Sequence, residues 1–215
     1  SISKASLIHL SSANVIGFTK EKIVNEKSKC NPRNSYILKL NDEIALQNIT
    51  KKCLSSIYIL RPTEIIGNES LNARKLVKSR INDSWIKRYI EKSLYGLRPM
   101  HYVSSRYLIN SIFKIIQGRV NQGTYIVSQD LDKDNNYLDI IKIIDKIIST
   151  NQNNFLSKFP ALKLKNVFRL IYRLLKPNNF DPYIKFISLS PIIEPSNYKF
   201  FKRDLEDHVK SILKN

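Results

Sequence analysis

The sequence predicts an α/β fold with a largely parallel sheet, and three observations carry that expectation. Short apolar runs of strand character alternate along the chain with longer stretches of helical spacing. Proline and glycine punctuate the joins, as at Pro62, Gly67 and Gly118. The 215 residues are 42% hydrophobic and 25% charged, the composition of a folded chain with room for one large domain or one and a half smaller ones.

Taken in order, "SLIHLSS" (6–12) reads as a short buried strand ending in small polar residues. A polar loop leads to a helix expected over 36–53. "SSIYILRP" is a second strand, stopped by Pro62, and "LNARKLVKSRI" beyond Gly67 has helical spacing. The stretch from Trp85 to Val103 fits neither template cleanly. "SRYLINSIFKIIQG" is an amphipathic helix closed by Gly118, "GTYIVSQD" a third strand, and "NNYLDIIKIIDKII" another helix. A further helix is expected between Pro160 and Pro177, and "SNYKFFKRDLEDHVKSIL" ends in a last one with Asp204 near its start.

Charge bounds the partners. Lys and Arg number 36 against 18 Asp and Glu, a formal net charge of +18. That excess suits polyanions: nucleic acid, an anionic membrane surface, or phosphorylated small molecules. A composition rich in Ile, Lys and Asn accounts for it equally well. Between the two prolines, Lys165, Arg169, Arg173 and Lys176 gather opposite an apolar face of Leu164, Val167, Phe168, Ile171, Leu174 and Leu175. Contact with a phosphate-rich surface is one reading, and a core-facing helix with a basic solvated side is the simpler one. No helix-turn-helix, finger or RNP-type motif supports a nucleic-acid module beyond the charge itself.

Cys30 and Cys53 stand far apart, and His9, His101 and His208 are scattered, so no metal site is expected. Free thiols in a reducing cytoplasm are the simplest account. Neither a signal peptide nor a run of about 20 apolar residues is visible. The chain opens on Ser and enters an apolar run at once, which raises the expectation of a missing upstream segment.

Several pieces then line up with one family. "LSSANVIG" places Ser11, Ser12, Val15 and Gly17 as in a strand ending Ser-Ser-x-x-Val-Tyr-Gly, with Ile16 at the tyrosine. Glu26, Pro32, Tyr36, Lys39 and Glu43 follow in the order acid, proline, Tyr-x-x-x-Lys, glutamate. "LRPTEIIG" supplies Arg61, Pro62 and Gly67 of an Arg-Pro-x-x-x-x-Gly strand end, and "RPMHYVSSRYLINSI" an Arg-x-x-x-x-Val segment with Arg98. In these pieces the chain resembles the extended short-chain dehydrogenase/reductases, in the NAD-dependent nucleotide-sugar epimerase/dehydratase branch. The match begins at what would be a middle strand, so it corresponds to the C-terminal two-thirds of such a protein. The implied fold is a partial Rossmann-like parallel sheet, its first strands and Gly-rich turn missing, plus a smaller C-terminal substrate-binding portion. Residues 1–68 would finish the nucleotide-binding α/β domain, and 69–215 would hold the substrate portion.

The resemblance implies Ser12, Tyr36 and Lys39 as catalytic residues, with Tyr36 the acid/base and Lys39 lowering its pKa and holding the nicotinamide ribose. Ser12 would bond the substrate oxygen. Lys39 and Pro62 would meet the cofactor NAD, and Arg61 and Arg98 the diphosphate of a nucleotide-sugar substrate. Two departures qualify this. Tyr36 and Lys39 are three residues apart rather than four, which still leaves them about 60° apart on a helix. The five glycines offer no Gly-rich turn for the dinucleotide pyrophosphate. The alternatives carried forward are an inactive family remnant or subunit, paired as a homodimer or with a missing N-terminal segment, and a basic nucleic-acid-binding module. Polysaccharide biosynthesis is the setting the resemblance suggests.

Overall fold

The computed structural model describes residues 6–50, 56–67, 70–148, 183–193 and 200–214, with Leu170 and Leu174 besides. In chain order the elements are β1 (Ser6–Leu10), a 3-10 turn (Ala13–Val15), β2 (Ile23–Val24), α1 (Asn34–Thr50), β3 (Ser56–Pro62) and β4 (Glu64–Ile66). There follow α2 (Leu71–Asn82), α3 (Trp85–Tyr95), β5 (Tyr102–Ser104), α4 (Ser105–Ile116), β6 (Gly123–Val127), α5 (Tyr137–Ile148), β7 (Lys185–Phe186) and α6 (Phe200–Lys214).

β1, β3 and β6 form a parallel sheet with β3 in the middle, Ser6 opposite Ser56 and Tyr58 opposite Gly123. The alternation of side chains along β3 decides what each face holds. Tyr58 and Leu60 turn to a cluster with Val103, Tyr107, Leu108, Ile115, Tyr125 and Val127. Arg61 lies on the opposite face, toward α1 (see below). Two short parallel pairs complete the strands: β2 with β7, and β4 with β5.

The helices start where serine can cap them. Ser70, Ser84 and Ser104 each accept a hydrogen bond from the backbone N–H three residues on, at the heads of α2, α3 and α4. The stretch that fitted no template resolves into α3, a turn at Gly96 with φ +47°, and β5. Helix α6 begins at Phe200, a full turn before Asp204, because Phe201, Leu205 and Val209 form its buried stripe against α2, α5 and β5. The basic helix expected between Pro160 and Pro177 falls almost wholly outside the described residues.

Gly17 closes the loop after β1. Its φ is +63°, and a Cβ there would stand 1.7 Å from the carbonyl oxygen of Asn31. Only glycine allows that approach. The contact brings Pro32 and the head of α1 back to the carboxyl end of β1.

Candidate active site at the carboxyl ends of the sheet

In an open parallel sheet, ligands sit beyond the carboxyl ends of the strands. At the end of β1, Ser12 begins the 3-10 turn, its Oγ accepting from the Asn14 N–H at 3.2 Å. The Asn14 side-chain amide donates to the Tyr36 phenolic oxygen at 3.0 Å. One asparagine therefore ties Ser12 to Tyr36. Each hydroxyl is engaged as an acceptor, so each keeps its proton to donate. Two O–H donors linked through one residue suit an oxygen atom that gains negative charge.

Lys39 lies one turn along α1, exposed and, among the described residues, without a partner. Pro62 is buried at the end of β3, opposite Val127 of β6. Arg61, one residue earlier, is 5% exposed. Its Nε and Nη2 donate to the Glu43 carboxylate, the shortest contact being 2.6 Å. Burial works against that charge, but the Glu43 carboxylate outweighs it and holds the guanidinium above its ordinary pKa. Arg61 thus joins β3 to α1. The neighbouring Cys30 thiol is pushed up by burial.

Arg98 follows α3, away from the Ser12–Tyr36 pair in the chain and on a different connection. Its guanidinium lies 4.7 Å over the Tyr95 ring, and Nη2 donates to the Met100 sulfur at 3.5 Å. Its Nε is buried without a partner. Of the residues expected from sequence, the structure brings Ser12 and Tyr36 together. It leaves Lys39 in solvent and sets Arg61 in an internal ion pair.

Sequence reasoning missed Asn14, although its place between Ser12 and Val15 was in view. It also missed the end of β6, where Gln129 and Asp130 are buried. Gln129 accepts from the Ser104 N–H at 2.7 Å and has Nε2 unpartnered, and Thr63 has Oγ1 unpartnered. Their only signal was position: Thr63 just past an expected strand, Gln129 and Asp130 at the tail of another.

By the resemblance, Ser12, Lys39 and Pro62 would meet the nicotinamide end of NAD, while among the described residues no glycine-rich turn cradles its pyrophosphate. Gly17, the glycine nearest the end of β1, already receives the Asn31 carbonyl. Among the described residues no group of His, Cys, Asp and Glu could hold a metal ion, and no helix is long and apolar enough to cross a membrane.

No family model and no curated protein matches the sequence. Solved structures do match. A UDP-glucose 4-epimerase is 16% identical with a TM-score of 0.57, covering 98% of this chain and 65% of its own. The UDP-glucuronic acid 4-epimerase of Bacillus cereus, in complex with NAD, is 18% identical with a TM-score of 0.58, covering 97% and 61%. The dTDP-glucose 4,6-dehydratase of Bacillus anthracis, also in complex with NAD, is 14% identical with a TM-score of 0.55, covering 98% and 62%. The chain therefore has the Rossmann-like fold of the nucleotide-sugar epimerases and dehydratases of the extended short-chain dehydrogenase/reductases, over less than two-thirds of their length.

Proposed function

We propose that the chain binds a nucleotide-diphosphate sugar across the carboxyl ends of β1, β3 and β6, and supplies the acid/base half of an NAD-dependent epimerase or dehydratase. The observation that carries this reading is the Ser12–Asn14–Tyr36 arrangement at the end of β1. Ser12 and Tyr36 hold the sugar oxygen that exchanges its proton, and Lys39 supplies positive charge one turn away. NAD, when bound, accepts and returns a hydride. Its pyrophosphate requires a Gly-rich turn brought by another polypeptide segment, because the glycines of this chain do not form one. Arg98 meets the substrate diphosphate with its guanidinium, whose plane Tyr95 braces.

Calorimetry with UDP-glucose tests the reading without the cofactor. Saturable binding that weakens by roughly 10- to 100-fold in Arg98→Ala is expected, the loss of one charge-assisted contact. A Tyr36→Phe variant should bind as the parent does and lose proton transfer. Absence of UDP-glucose binding, with salt-dependent DNA binding in its place, would overturn the reading in favour of a nucleic-acid module.

A further inference from the structure

A second polar group stands at the same end of the sheet, on the far side from Tyr36. His101 Nδ1 lies 2.7 Å from Asp130 Oδ2, and the same oxygen accepts the Phe186 N–H at 2.9 Å. The Asp130 side chain is fully buried, and its Oδ1 has no partner. The His101 ring stands edge-on to Phe186 with centroids 5.1 Å apart. Phe186 packs with Ala13, Val15 and Ile16, the turn that carries Asn14, so the imidazole belongs to the same end of the molecule as Ser12 and Tyr36.

Three segments converge to hold this ring: the β4-facing loop before β5, the loop after β6, and β7. His101 also keeps φ at +57°, a left-handed conformation uncommon for a residue with a side chain. Such backbone persists where its surroundings over-determine it, and it concentrates at ligand sites.

The hydrogen bonds fix what the ring can do. Asp130 Oδ2 already accepts from a backbone N–H, so its contact with Nδ1 is one in which the ring donates. In the neutral imidazole that leaves Nε2 a pure acceptor. Among the described residues Nε2 has no partner, and the side chain is 28% exposed. Among the described residues no other charged side chain pairs with the ring. Glu64, whose N–H bonds the His101 carbonyl, turns its carboxylate to Ser70 and Asn72.

We propose that His101 Nε2 is a sugar-reading contact: oriented by Asp130, it accepts a hydrogen bond from a hydroxyl of the sugar bound across the sheet ends. An acceptor there selects a hydroxyl donor over a phosphate oxygen. Strands β1 and β6 are two strand spacings apart, about 10 Å, so the contact falls on a different part of the ligand from Tyr36. This rests on the nucleotide-sugar reading above and adds to it the residue that recognises the sugar.

Diethyl pyrocarbonate labelling, read at each histidine by mass spectrometry, tests it alongside calorimetry on the same samples. The open Nε2 of His101 should be modified readily and buried His208 slowly. Saturating UDP-glucose should slow labelling of His101 at least tenfold, and saturating UDP or inorganic phosphate should not. His101→Asn tolerates left-handed backbone and keeps an amide to donate to Asp130. It should reduce the preference for UDP-glucose over UDP by about fivefold, one neutral hydrogen bond. If UDP-glucose binds and His101 labels at an unchanged rate, the proposal falls and the nucleotide-sugar reading stands. Equal protection by UDP would overturn it in favour of an anion contact. No binding of UDP-glucose would remove both.

Discussion

Tyr102 is 1% exposed, and its phenolic oxygen finds no hydrogen-bond partner. Burial, with the charge of Glu64 behind it, raises its pKa far above the ordinary phenol range, so it is a core residue with a stranded hydroxyl. Tyr102→Phe should raise stability by about 1 kcal/mol, since an unsatisfied buried donor costs more than its removal. Thermal melts of the two proteins decide this, and a lower midpoint for the variant would reveal a partner for the hydroxyl. His208 raises the opposite question. It is 4% exposed, both ring nitrogens lack partners, and burial together with the Arg74 charge depresses its pKa. Above about pH 6.5 the ring is neutral folded or unfolded, and nothing is lost. As pH falls below that value the unfolded chain takes the proton first, and stability drops. His208→Gln should flatten that acid limb between pH 6.5 and 5 in urea unfolding, leaving the other limb in place.

Among the elements, α1 is held in an unusual way. Ile37, Leu38, Ile44 and Ile49 on it are all at least 40% exposed, and its one buried side chain among those described is Glu43, paired with Arg61 of β3. An ion pair, with half-buried Leu40 packed beside the Ala13–Ile16 turn, thus fixes this helix where an apolar stripe would be usual. Glu43→Ala should cost about 3–5 kcal/mol because it strands a buried guanidinium, whereas Glu43→Leu with Arg61→Met should cost far less. Denaturant midpoints of the single and double variants separate the two. This pairing also marks where sequence reading stopped. The alternation of strands and helices, and the stripes of α4 and α5, were legible because burial follows periodicity there. Arg61 was read as a ligand contact because its residue type suits phosphate, and only tertiary packing shows that it faces Glu43. The pairs β2–β7 and β4–β5 have two or three residues to a strand, too short for any alternation to show. Ser12 and Tyr36 were legible from motif order. Asn14, which joins them, and His101, whose role depends on a buried carboxylate 29 residues on, were not.

At the scale of the molecule, the solved epimerases and dehydratases extend well beyond the length this chain spans. Among the described residues no strand pairs with the outer edge of β1, where Leu7 and Leu10 are 45% and 47% exposed. An open apolar edge invites pairing with other chains. Leu7→Lys should lower light scattering by the purified chain severalfold while leaving UDP-glucose affinity unchanged, since Leu7 lies near the amino end of β1, away from its carboxyl end. Unchanged scattering would place the sticky surface elsewhere, on α1 or α4.

The sheet register has a consequence in time. Ser6 pairs with Ser56, and Tyr58 with Gly123, so every main-sheet ladder joins residues at least fifty positions apart. Nothing local rewards β1 for being extended until β3 has been synthesised, and β3 in turn waits for β6. Parallel pairing of this separation is slow, because loop closure is paid before the ladder forms. On the ribosome, β1 would therefore leave the exit tunnel fifty residues before β3, and β3 sixty-five before β6, each waiting on its partner. That window is when chaperone capture matters most to the yield of folded chains.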